Sequence, residues 1–148
     1  MALPDDLLEQ ARHLAKLDRK RPKQASLRRA VSTAYYALFH LLVSDGASQW
    51  KIERQRSIFA RSFEHRKMRG ICKNCNSPNA DLQAVADAFV ELQQARHLAD
   101  YDYKKVFTRV EALTHINTVK NAFEQWNRIR EQEIAEDFLL NLFVVERR

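Results

Sequence analysis

"AYYALFHLLV", residues 34 to 43, sets the architecture, because nearly every side chain in it is apolar or aromatic. A surface helix keeps one polar face, so a helical run this greasy is expected to be buried on more than one side. Reading back from it predicts a helix over about 25–43, the centre of a bundle. That helix also carries one polar stripe, Arg29, Thr33, Tyr36 and His40, spaced by four, three and four residues. Something must satisfy these groups. Either Tyr36 and His40 are core residues bonded to neighbouring helices, or the stripe lines a cleft or a dimer seam.

Outward from this centre the pattern is helical throughout. Pro4 and the acids of "DDLLEQARHLAKL" mark the start of a first helix with Leu7, Leu8, Ala11, Leu14 and Ala15 as its apolar stripe. The basic connector "DRKRPKQ" leads into the central helix. A third helix is expected from about Trp50 to Met68, amphipathic through Ile52, Ile58, Phe59 and Phe63. After a polar stretch, Ser77 as N-cap and Pro78 at the first helical position restart the periodicity, with Leu82, Val85, Ala86, Phe89, Leu92 and Arg96 in line. Thr108 and Glu111 have capping-box spacing for a helix through about Ile129, with Leu113, Ile116, Val119, Ala122, Phe123 and Trp126 inside. "AEDFLLNLFVV" supplies a short last helix. With 148 residues, 45% of them hydrophobic, and only two glycines and three prolines, the expectation is all-α: one domain over 1–148, an up-and-down bundle of five to six helices.

Composition also excludes. No run of 18 apolar residues is present, and "MALPDDLLEQ" has acids where a secretory signal has bases, so a cytoplasmic protein without a membrane segment is expected. Cys72 and Cys75 form one "CKNC" motif, and the other obvious ligand nearby is His65, seven residues before Cys72. Two thiolates do not close a tetrahedral zinc site, and no βαβ pattern supports a redox pair. A loop with two reduced thiols and no metal or cofactor is therefore expected. The formal charge of +6 is local: residues 19–29 carry six basic side chains and no acid, and residues 51–73 carry eight basic and two acidic. Such patches attract phosphate backbones, although a basic helix face is often only solvated.

"QQARHLADYDYKK", residues 93 to 105, raises the functional question. Arg96 continues the buried face four residues after Leu92, so its guanidinium needs acceptors near the helix end. The candidates are the last carbonyls of its own helix, Asp100, and the phenols of Tyr101 and Tyr103. A cation is favoured there by the helix dipole alone, so the residues by themselves leave a structural and a functional role equally open.

"RRAVSTAYYALFHLL", followed by "ELQQARHLADYDY", resembles the HEPN superfamily, small all-α domains of prokaryotic toxin–antitoxin pairs and RNA-cleaving systems. Tyr35, Tyr36, Ala37, Phe39 and His40 match one motif of its bacterial branch, and Arg96, Ala99, Asp100 and Tyr101 the other; the likeness spans about 25–128. The resemblance implies a HEPN-like bundle that forms a homodimer, with the arginine motifs facing a shared cleft. In its metal-independent nucleases an arginine steadies the phosphate while a histidine a few residues on moves the 2′-hydroxyl proton. Here a four-residue gap after Arg96 ends at Tyr101, and no histidine follows before His115. A phenol ordinarily titrates near ~10, so a tyrosine in that place is a weak base at neutral pH. His97 points about 100° away from Arg96 round the helix. Arg61 and His65 have i, i+4 spacing and read as a surface pair.

Three readings follow. The first is a dimer whose cleft binds RNA or a nucleotide through Arg96, with Asp100, Tyr101 and Tyr103 arranging it and Arg29, Tyr36 and His40 as the opposing wall. The second is a ribonuclease toxin, with Arg96, Tyr101 and His40 catalytic, silenced by a nucleotidyltransferase-like antitoxin that modifies Tyr101 or Tyr103. The third is a structural or regulatory dimer.

Overall fold

The computed structural model describes residues 2–62 and 64–143, and these contain seven α-helices and no strand. They are α1 (Leu3–Ala15), α2 (Gln24–Ala47), α3 (Glu53–Arg61), α4 (His65–Lys73), α5 (Ala80–Tyr101), α6 (Arg109–Ile129) and α7 (Glu133–Phe143). The chain is all-α, with one helix more than the upper expectation. No helix among the described residues is long and apolar enough to cross a membrane.

The central helix is where the greasy run put it. In α2, Leu27, Ala30, Val31, Ala34, Tyr35, Ala37, Leu38 and Leu42 are buried on several sides, because α1, α5 and α6 all pack on it. α6 also packs on α1 and α5, so the four long helices share one apolar core that includes Phe89, Leu92, Ile116 and Trp126. The Trp126 indole is fully buried, and its N–H donates to Asp45 Oδ2 at 2.6 Å; Arg130 binds the other oxygen of that carboxylate at 2.5 Å. A buried indole N–H without a partner would be costly, and Asp45 removes that cost.

The extra helix arises from a break in the expected third one. Ser62 ends α3: its backbone N–H and its hydroxyl both donate to the Phe59 carbonyl, at 3.0 and 2.5 Å, an alternative to the next helical bond. Glu64 is extended, and α4 restarts at His65. Phe63 lies outside the described residues. Ile52 and Ile58, expected inside, are more than half exposed, and Phe59 alone is buried on α3. The "CKNC" motif is also not a loop. Cys72 is buried on α4 beside Met68, and only Cys75 follows the helix; both thiols are free.

α5 is capped by Asn79, whose side chain accepts the Leu82 N–H at 3.0 Å, rather than by Ser77. Ser77 acts one step earlier, its hydroxyl accepting the Asn79 N–H. Thr108 caps α6 as its spacing predicts, accepting from Glu111 N–H at 3.1 Å; the Glu111 carboxylate turns to Lys105 instead of closing the box.

Two arginines stitch one end of the bundle. Arg109 donates to the carbonyls of Ala15, Asp18 and Arg19, the end of α1 and its connector. Arg28 donates to Leu98 and Ala99 at the end of α5 and to Lys105 beyond it. Gln24 joins the same end through both bonds of its amide to Phe107.

Candidate functional site

α2, α4 and α5 bring three aromatic rings, two arginines and two histidines to one face. The centre is Arg96. Its Nη2 donates to the Tyr36 phenol at 3.1 Å, and its Cζ lies 5.5 and 5.4 Å from the Tyr35 and Tyr36 ring centroids. Only 16% of its side chain is exposed, so the ring faces replace part of its lost hydration. Asp100, one turn on, places Oδ2 3.3 Å from Nε, but not in the direction of the N–H, which is buried without an acceptor. The carbonyls at the end of α5 are not its partners, because Arg28 takes them.

His65, the first residue of α4, lies inside this face rather than on the surface with Arg61, from which the helix break separates it. Its ring stacks on Phe39 with centroids 4.2 Å apart, and Tyr35 Oη is 2.5 Å from its Nδ1. Gln93 of α5 donates to its carbonyl at 2.9 Å, fixing the start of α4. Burial, then the charge of Arg96 and then His40, hold the His65 imidazole below its ordinary range. Burial raises the Tyr35 phenol, which therefore keeps its proton and is able to donate it to Nδ1. A phenol donating to Nδ1 puts the imidazole proton on Nε2. His65 is then neutral, with Nδ1 occupied and Nε2 a donor, which makes it a poor general base and a good hydrogen-bond donor.

Beside Arg96 a groove of about 410 Å³ opens between α4 and α5, lined by Arg69, Gln93, Gln94, Arg96, His97 and Leu98. No carboxylate among the described residues lines it. Arg69 Nε and Gln93 Oε1 are buried without partners, as is Arg96 Nε, so two donors and one acceptor are unpaired around one groove. Each such group costs about 1–3 kcal/mol relative to a paired one.

The expected site residues divide. Arg96, Asp100 and Tyr36 come together. His40 reaches the cluster through Tyr36, ring centroids 6.3 Å apart, while burial keeps its imidazole below the ordinary range. It also lines a different groove, with Ser44, Glu53 and Arg56. Arg29 is exposed and makes no contact with the cluster; its neighbour Arg28 is the anchored one. Tyr101 and Tyr103 are 62% and 95% exposed and do not bond Arg96; Tyr101 adjoins the His97 ring at 5.1 Å. His97 shares the groove with Arg96 despite its angular offset.

Sequence reasoning missed His65, Arg69 and Arg28. The i, i+4 pair Met68 and Cys72 is a signal that could have turned α4 inward and put Arg69 at its edge; nothing local separates Arg28 from Arg29. Among the described residues no three His, Cys, Asp or Glu side chains gather to hold a metal ion. Compared with family models, curated proteins and solved structures, the chain has no match in any of the three.

Proposed function

We propose that this groove binds RNA or a ribonucleotide, without rapid turnover, in a homodimeric HEPN-like up-and-down bundle. The observation that carries the reading is the convergence of Arg69 and Arg96 on one groove where, among the described residues, no carboxylate stands and two donors and one acceptor lack partners. A phosphodiester beside a ribose supplies the complement: phosphate oxygens accept, and the 2′-hydroxyl both donates and accepts. Side-chain rotations that admit such a ligand would give these atoms the partners they lack. His97 at the rim adds a further donor. The engaged state of His65 argues for binding over chemistry.

The test is retention of labelled total RNA by the purified protein in EDTA, beside Arg69→Gln. Salt-sensitive retention, weakened about tenfold in the variant with its helicity intact, is expected for loss of one charged contact. Retention equal in both proteins would sink the reading. Cleavage in EDTA supports a second reading, a ribonuclease toxin held by a nucleotidyltransferase-like antitoxin. That reading draws on the accessibility of Tyr101 beside His97, and of Tyr103 as the site of modification. Tyr101→Phe would abolish the cleavage.

A further inference from the structure

Away from the Arg96 groove, α1 and α6 bound a second groove of about 390 Å³. Arg12 and Lys16 form one wall, Asn117 and Lys120 the other, and Leu113 and Ile116 the floor. The pairs are i, i+4 on α1 and i, i+3 on α6, so each projects from one helix face into the same space. The three cations make no hydrogen bond or ion pair among the described residues. Unpaired like charges held together repel one another, and a bound anion reverses that penalty. The acids that flank it along the two helices, Glu9, Glu111 and Glu124, do not line the groove, and Glu111 is paired with Lys105.

The groove does not stop at the helix ends. Arg109, the first residue of α6, clamps the carbonyls of Ala15, Asp18 and Arg19 and so fixes the connector beside the groove mouth. The fixed connector presents Arg19, Lys20 and Arg21 to solvent, none of them paired among the described residues. Its one acid, Asp18, accepts the Lys23 N–H at 3.0 Å within the connector itself. A single small anion would be served by the groove alone. A track of cations running from groove to connector fits a chain of phosphates.

We infer that the α1–α6 groove and the adjoining connector form a site for the phosphate backbone of a nucleic-acid strand. The site uses none of the Arg96-groove residues and does not rest on the function proposed for them. With no exposed aromatic ring lining it, recognition is through phosphates and independent of base sequence.

The test is fluorescence anisotropy of labelled oligouridylate and oligothymidylate titrated with the wild-type chain, with Lys16→Gln/Lys120→Gln, and with Arg69→Gln, from about 50 to 200 mM salt. Both lysines are exposed, so the double variant should keep its helicity. Expected is a salt slope shallower by about 1.4, two phosphate contacts at ~0.7 each, and roughly tenfold weaker binding of both oligomers. Loss in the double variant with no effect of Arg69→Gln upholds this site while refuting the Arg96-groove reading. Unchanged slope and affinity in the double variant, or no binding by the wild-type chain, overturns the inference. Displacement of the oligomers by inorganic pyrophosphate as readily as by unlabelled oligomer also overturns it, in favour of a small-anion site.

Discussion

Arg28 and Arg29 are adjacent, identical and both on the first turns of α2, yet replacing them by alanine should have very unequal consequences. Arg28 Nη1 is shared between the Leu98 and Ala99 carbonyls at 3.3 and 3.0 Å, Nη2 binds the Lys105 carbonyl, and Cζ lies 5.8 Å from the Phe107 ring. Counting the shared donor once leaves two charge-assisted bonds, each worth about 1.5–3 kcal/mol when part-buried. The lower figure applies because the Leu98 end is open to solvent, so Arg28→Ala should cost about 3 kcal/mol. At 2–4 °C per kcal/mol for a chain of this size, Tm falls by roughly 6–12 °C. Arg29 is exposed and has no partner among the described residues, so Arg29→Ala should stay within about 0.5 kcal/mol. Thermal unfolding by far-ultraviolet circular dichroism measures both. Amide exchange adds a local check, since protection should drop around residues 98–105 in the Arg28 variant alone. Equal Tm values for the two variants would refute the claim that Arg28 closes the end of α5.

Further outcomes follow from the same contacts. Asp45→Ala strands the buried Trp126 N–H and should cost about 1–3 kcal/mol, read from the urea midpoint; a neutral result would mean the indole finds another acceptor. Because His65 is held below its ordinary range, the unfolded chain binds a proton that the fold refuses. Stability is then full above pH ~6.5 and falls as pH drops from there toward the folded value. His65→Gln should flatten that fall, and an unchanged pH profile would contradict the burial of its imidazole beside Arg96. Arg69→Gln removes a buried N–H that lacks an acceptor, so it should weaken RNA retention without lowering Tm; a large Tm loss would make Arg69 structural. Burial raises both thiols, so neither should react quickly with a disulfide reagent in the native state, and Cys75 should react before Cys72.

What could be read from the sequence is what strong periodicity or local chemistry controls. α2 was legible because a run of ten residues, apolar or aromatic but for His40, admits few surroundings, and α6 because Thr108 and Glu111 carry their own cap. The α3–α4 break was not, since it depends on a serine hydroxyl competing for one carbonyl, which no hydropathy pattern records. Within the site, Arg96, Tyr36 and Asp100 could be placed by helical spacing on two long helices. His65 could not, because its position follows from where a nine-residue helix restarts, and Arg69 had only the Met68 and Cys72 spacing to point to it. Likewise the difference between Arg28 and Arg29 exists only once α5 has a neighbour.

The stitched end has a consequence for how the chain assembles. Its clasps join residues 70 to 94 positions apart, from Arg28 with Leu98 to Arg109 with Ala15. Closing such loops is entropically unfavourable and must await docking of the partners, so these contacts belong to the late, slow part of folding. During synthesis, α1 and α2 emerge long before Arg109 and remain unclasped until α6 is out. The fixed connector and both walls of the α1–α6 groove therefore come into being only with the nearly finished chain, which delays any polyanion capture there until folding is almost done.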